Sequence, residues 1–187
     1  MNTSMTIAHP GPARSALVAN VLLFQAGWFA CVLGAAQGTW WLGPAVAAVV
    51  AGWHLARAAR PRPEAMLLGV AALAGALFET ALVASGWVRF DVAAMPFDGL
   101  APVWMVALWA LFATTLNVSL RALHGRWRLA ALLGAVGAPL AYAGGARLGA
   151  LEWVDAGAAL AAIGVGWAVL TPLLLLAARR LDGYSPQ

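Results

Sequence analysis

Apolar residues recur in runs of membrane-spanning length along almost the whole chain, and the polar stretches between them are short. Six runs stand out, at roughly 16–36, 42–59, 66–88, 102–123, 129–150 and 157–178. Each holds about 18–23 residues, enough at about 1.5 Å per residue to cross a hydrocarbon layer of about 30 Å. None alternates apolar and polar residues as a barrel strand does, so the pattern predicts helices. A soluble domain would interrupt such runs every few residues to keep one helix face wet. The expected fold is therefore all-α, an integral membrane bundle of six transmembrane helices.

Composition and charge orient that bundle. The 187 residues are 63% hydrophobic and 10% charged, against about a quarter charged in soluble domains. Arg14, Arg57, Arg60, Arg62, Arg121, Arg126, Arg128, Arg179 and Arg180 fall on the side of the N-terminus, and only Arg89 and Arg147 fall opposite. Asp91, Asp98, Glu152 and Asp155 lie on that opposite side. Nine arginines against two is a positive-inside bias that predicts both ends in the cytoplasm. Residues 1–13 read as a disordered cytoplasmic tail, 14–180 as the transmembrane domain and 181–187 as a second cytoplasmic tail. The first run is read as a span and not a cleaved signal, because its apolar stretch exceeds the usual length of about 7–15 residues and carries Asn20 and Gln25.

The charges also exclude chemistry. All basic residues other than histidine are Arg; there is no Lys. That removes a phosphate-binding P-loop lysine and any Schiff base. The arginines sit at helix ends and argue for topology, not for nucleic acid. Cys31 is the single cysteine, so no internal disulfide forms. His54 is the one histidine inside a run and reads as a headgroup residue. His9 and His124 lie in a tail and a loop, so no facing pair exists to ligate haem. No His/Cys/Asp cluster has metal-ligand spacing, and no cofactor or metal is expected.

Polar side chains within lipid turn inward and point to a site. Toward the outer side, Glu79 is the acid of the predicted third span, on a face with Ala72, Gly75, Ala76, Val83 and Gly86. Arg147, near the outer end of the fifth span, is the candidate cation for it, with Tyr142 about one turn deeper. Such a trio can shuttle a proton, hold a cation or grip a ligand hydroxyl. It can equally be a structural bond between two helices. Toward the cytoplasm lie Asn20, Gln25, His54, Thr114, Thr115, Asn117 and Ser119, with Thr114, Asn117 and Arg121 on one stripe. These are either interhelical glue or the lining of a polar cavity.

Ten tryptophans change the picture further. Trp40, Trp41, Trp87, Trp104 and Trp153 fall at the outer interface, and Trp53 and Trp127 at the inner one, as an aromatic belt. Trp28, Trp109 and Trp167 fall near mid-membrane, either packing with their N–H groups on polar neighbours or lining an apolar pocket. The loop 89–101 carries Phe90, Met95 and Phe97 among its acids and is expected in the headgroup region. Gly145-x-x-x-Gly149 and Ala162-x-x-x-Gly166 are expected helix contacts, and they permit a homo-oligomer.

Three stretches carry a family resemblance. They are Asn20-Val-Leu-Leu-Phe-Gln-Ala-Gly-Trp28, Pro102-Val-Trp-Met-Val-Ala-Leu-Trp-Ala-Leu-Phe-Ala-Thr-Thr-Leu-Asn-Val-Ser-Leu120 and Gly137-Ala-Pro-Leu-Ala-Tyr-Ala-Gly-Gly-Ala-Arg-Leu-Gly-Ala150. In these the chain resembles a family of proteobacterial inner-membrane proteins defined only as a domain of unknown function. The resemblance implies genes near fatty-acid-modifying enzymes, such as those like cyclopropane-fatty-acid synthase. It therefore implies a role in lipid metabolism or envelope stress.

The leading expectation is an accessory inner-membrane protein that binds a membrane lipid or other apolar small molecule within its bundle. Glu79, Tyr142, Arg147 and Trp109 would form its outer site, with Asn20, Gln25, Thr114 and Asn117 nearer the cytoplasm. Two alternatives stand beside it. One is a membrane-embedded enzyme acting on acyl chains with Glu79 as general acid or base. The other is a small transporter with Glu79 carrying the proton.

Overall fold

The structure is a computed structural model that describes residues 14–95 and 98–184. Each apolar run becomes a helix: α1 (Arg14–Ala36), α2 (Leu42–Arg57), α3 (Pro61–Ala84), α4 (Val103–Leu116), α5 (Trp127–Arg147) and α6 (Ala156–Arg180). One end of the bundle gathers the start of α1, the α2–α3 and α4–α5 turns and the end of α6; it is the arginine-rich end. α1, α3, α5 and α6 are long and apolar enough to cross a membrane, whereas α2 has 16 residues and α4 has 14. Large apolar side chains face outward along the long helices, Leu22, Leu73, Leu77, Leu140 and Val165 among them. Water would penalise that surface; hydrocarbon does not.

Two helix boundaries differ from the expected ones for local reasons. α3 starts at Pro61, five residues before the predicted run. A proline at the first helical position lacks the N–H that would be unpaired there, and Glu64 in the first turn complements the helix dipole. α4 ends at Leu116, seven residues early, where the Thr115 carbonyl accepts from both Val118 N and Leu120 N and bends the chain. A short 3-10 turn, Arg121–Leu123, follows.

α4 is the axis of the fold, packing on α1, α2, α3 and α6, and α5 lies mainly against α6. Of the expected small-residue contacts, Gly166 makes a close approach and Gly145 and Gly149 do not; the α5–α6 crossing is at Gly134 instead. A Cβ on Gly134 would sit 2.2 Å from the Trp167 carbonyl oxygen, so α5 meets α6 there. Gly145 and Gly149 do not make that crossing: Gly145 faces Leu151, and Gly149 turns the chain at φ +87°. Gly166 packs against Phe78 of α3. Pro139 and Pro172 lie inside α5 and α6 without ending them.

The opposite end is closed by an antiparallel pair of two-residue strands, β1 (Val88–Arg89) and β2 (Glu152–Trp153). This corrects the headgroup reading of the 89–101 loop. Phe90 and Ala94 are buried, Met95 packs on the core, and Phe97 lies outside the described residues. Trp104 is likewise no belt residue, being buried with its ring 5.9 Å from that of Phe90. At the arginine-rich end, residues 181–184 fold back on the bundle, where Arg60 N donates to the Gly183 carbonyl at 3.0 Å. The expected tail 1–13 and residues 185–187 lie outside the described residues.

Candidate functional site

Glu79 stands fully buried on α3, one turn beyond Gly75. Gly75 has no side chain to keep α4 away: a Cβ there would lie 2.1 Å from Trp109 Cγ. The Trp109 indole therefore lies directly on α3, and its Nε1–H donates to Glu79 Oε1 at 2.9 Å. The Tyr142 hydroxyl, from α5, donates to the same oxygen. Glu79 Oε2 has no hydrogen-bond partner among the described residues. Trp109 stacks on Trp167 of α6 with centroids 4.2 Å apart and 28° between planes, and Phe112 meets Trp167 edge-on at 5.2 Å. Offset aromatic stacks of this kind add to the burial they provide.

Beside this group is a cavity of about 710 Å³ between α1 and α5, backed by α4 and α6. Its size falls in the range of small-molecule sites, about 300–1,000 Å³. Trp28, Phe24, Leu108, Trp109, Tyr142 and Trp167 supply its aromatic and apolar walls. Trp167 Nε1, beside the Tyr142 hydroxyl, and Thr171 Oγ1, packed against Gly134 of α5, are buried away from the cavity's open space.

The arginine-rich end holds a second buried polar group. Glu64 Oε1 accepts from Asn117 Nδ2 at 2.8 Å and from Gly183 N at 2.7 Å, and Glu64 Oε2 lies 2.9 Å from His54 Nε2. The Tyr184 hydroxyl donates to the His54 carbonyl at 2.6 Å and sits 3.1 Å from Nδ1. Burial, and then the Glu64 carboxyl, push the Tyr184 phenol up to about 12. Arg121 pairs with Asp182 at 2.5 Å and donates to the Asn117 carbonyl at 3.1 Å. Asn20 joins α1 to α4 separately, donating to the Thr114 carbonyl at 3.0 Å and accepting from Ser119 Oγ at 2.7 Å.

The structure thus brings Glu79, Tyr142 and Trp109 together, and sets Asn20 beside Thr114. It does not bring Arg147 to Glu79: Arg147 is the last residue of α5 and exposed, so its cation is solvated there. Gln25 does not join Asn20, being exposed at the cavity mouth. Asn117 leaves the Asn20 group and turns to Glu64. Two readings are corrected outright. Glu79 is not alone among buried acids on α3, since Glu64 is equally inaccessible; and His54 is fully buried, not at the headgroups. The Pro61-Arg62-Pro63-Glu64 stretch carried a helix-start signal that includes Glu64.

Four membrane-length helices, lipid-ready outer faces and polar groups kept inside define a helical membrane protein with a cavity between its helices. Residues 17–173 match the family described as a protein of unknown function, DUF2878, and the chain belongs to that family. No curated protein and no solved structure matches it.

Proposed function

We propose that this protein crosses the bacterial inner membrane six times, with both termini in the cytoplasm, and binds the apolar body of a lipid in the α1–α5 cavity. The cavity is the observation that supports the reading. Its walls are apolar and aromatic, it lies among membrane-length helices, and its polar groups are few and specifically placed. The arginine bias supports the orientation. On this reading α2 and α4 span despite their length, because the turns at their ends are covered by protein and not by lipid. Binding without turnover fits a role in lipid metabolism or envelope stress.

Gly137 supplies the test. It lines the cavity, and a Cβ added there meets nothing within 4 Å. Gly137→Trp should fill the cavity without disturbing helix packing. Purified wild-type protein should retain lipid measurable by mass spectrometry. The variant should retain much less while melting at the same temperature. Equal retention by both would overturn the proposal.

A further inference from the structure

Resting on that reading, we infer that the lipid is an anionic phospholipid from the leaflet at the arginine-rich end, with one acyl chain in the cavity and its phosphate on Arg14 and Arg126. Val21, Leu133 and Leu140 line the cavity and are also exposed, so it opens sideways between α1 and α5. Both helices of that mouth carry an arginine in register with it. On α1 the lining residues Val21, Gln25, Trp28 and Val32 form one stripe at helical spacing. Arg14, the first residue of α1, lies on the same stripe two turns before Val21, about 10 Å along the axis. Arg126 caps α5, its carbonyl accepting from Ala130 N, and stands the same two turns before Leu133.

The interval between Arg14 and the cavity is itself a groove. Leu17, Val18, Val21, Leu22 and Ser119 line a shallow apolar hollow, and Val21 and Ser119 line the cavity as well. An apolar track therefore leads from a cation into the interior. From Val21 to Val32 the wall then runs about 16 Å, close to the hydrocarbon depth of one leaflet. Neither cation is engaged: Arg14 and Arg126 are exposed and make no ion pair among the described residues. The two acids of this end are committed elsewhere, Glu64 to His54 and Asn117 and Asp182 to Arg121, and residues 1–13 contain no acid. The balancing charge has to come from outside the chain. At this depth a membrane supplies it as lipid phosphate, which guanidinium binds with two parallel bonds. A zwitterionic headgroup brings its own cation to the same phosphate, so net charge separates the two lipid classes.

The experiment uses the purified full-length protein in phosphatidylcholine nanodiscs that carry equal amounts of dioleoylphosphatidylglycerol and dioleoylphosphatidylethanolamine. The protein is extracted into detergent, and retained lipid is read by mass spectrometry. We expect phosphatidylglycerol to be retained over phosphatidylethanolamine by about tenfold, as two arginines at a membrane surface allow. Arg14→Gln and Arg126→Gln should each lower that preference by about threefold and leave phosphatidylethanolamine retention unchanged. Arg62→Gln, at an exposed arginine of α3 outside the mouth, should keep it. Equal retention of the two lipids by the wild type, or a preference lowered as much by Arg62→Gln as by the other two changes, overturns the inference and leaves the cavity reading standing. Displacement of the retained phosphatidylglycerol by soluble glycerol phosphate marks a phosphate site without a lipid and overturns it too. Retention of both lipids that Gly137→Trp leaves unchanged overturns the cavity reading as well.

Discussion

Two carboxyls lie buried on α3, fifteen residues apart, and the protein treats them differently. Glu64 is saturated. Its two oxygens meet His54, Asn117 and the Gly183 N–H, contributed by α2, the end of α4 and the segment after α6. Glu79 is half used. One oxygen takes both Trp109 and Tyr142, and the other takes nothing among the described residues. A polar group that ties three elements and leaves no oxygen over is a structural joint. A carboxyl with an idle oxygen, beside a cavity of ligand size, is where binding chemistry is to be sought.

The comparison is broken most directly by truncation. Glu64→Ala leaves three buried donors facing nothing, and losing one partner of a buried pair costs about 3–5 kcal/mol. The α2–α3 turn and residues 181–184 should loosen together, since Arg60 and Gly183 are bonded to each other. A thermal unfolding series in detergent should show the largest drop here, larger than for Glu79→Ala. A larger drop for Glu79→Ala would mean that the structural joint is at the other carboxyl.

All six helices were legible because hydropathy averages over a window, and each run is long. The same averaging hid Glu64: Pro61, Arg62, Pro63 and Glu64 lower the local mean and read as loop, although Pro and Glu at these positions open a helix. Depth alone misled at Gln25. Five residues beyond Asn20 is about 140° around an α-helix, so the two amides face different ways. Arg147 misled for another reason: an arginine at a helix end reaches water more cheaply than it follows a buried acid. Tyr142 and Trp109 could be named as candidates from their depth. That both donate to one oxygen of Glu79 depends on Gly75 bringing α4 close, a fact of packing that no single-helix pattern contains.

A gentler change sharpens the comparison. Glu79→Gln keeps a carbonyl oxygen for Trp109 and Tyr142 and replaces only the unpartnered Oε2. Its stability cost should be about 1 kcal/mol or less. At Glu64 the amide replacement puts an N–H₂ group either against the Asn117 and Gly183 N–H donors or against His54 Nε2, whose ring must then carry its proton on Nδ1, and the cost should be clearly greater. Melting temperatures of the two glutamine variants, measured side by side, decide whether an idle oxygen separates the sites.

The smallest effect concerns pH, and it belongs to the arginine-rich end. His124 is half-buried in the α4–α5 turn, with Nε2 3.0 Å from the Leu116 carbonyl. Burial lowers its pKa below the ordinary 6.5; the Leu116 bond and Asp182 pull it up, and Arg121 and Arg179 push it down. A base with a lowered folded-state pKa binds its proton more readily in the unfolded chain. Its effect on stability is therefore absent above about pH 7 and grows as pH falls through 6.5 toward the lower folded value, where protonation favours unfolding. His124→Gln retains a donor for the Leu116 carbonyl without a titrating group. The melting temperature of the wild type should fall more steeply than that of the variant on acidification through this window, and the two curves should run parallel above it. A difference confined to alkaline pH would reverse the sign and place the proton-linked strain elsewhere, because His124 has no charge to lose there.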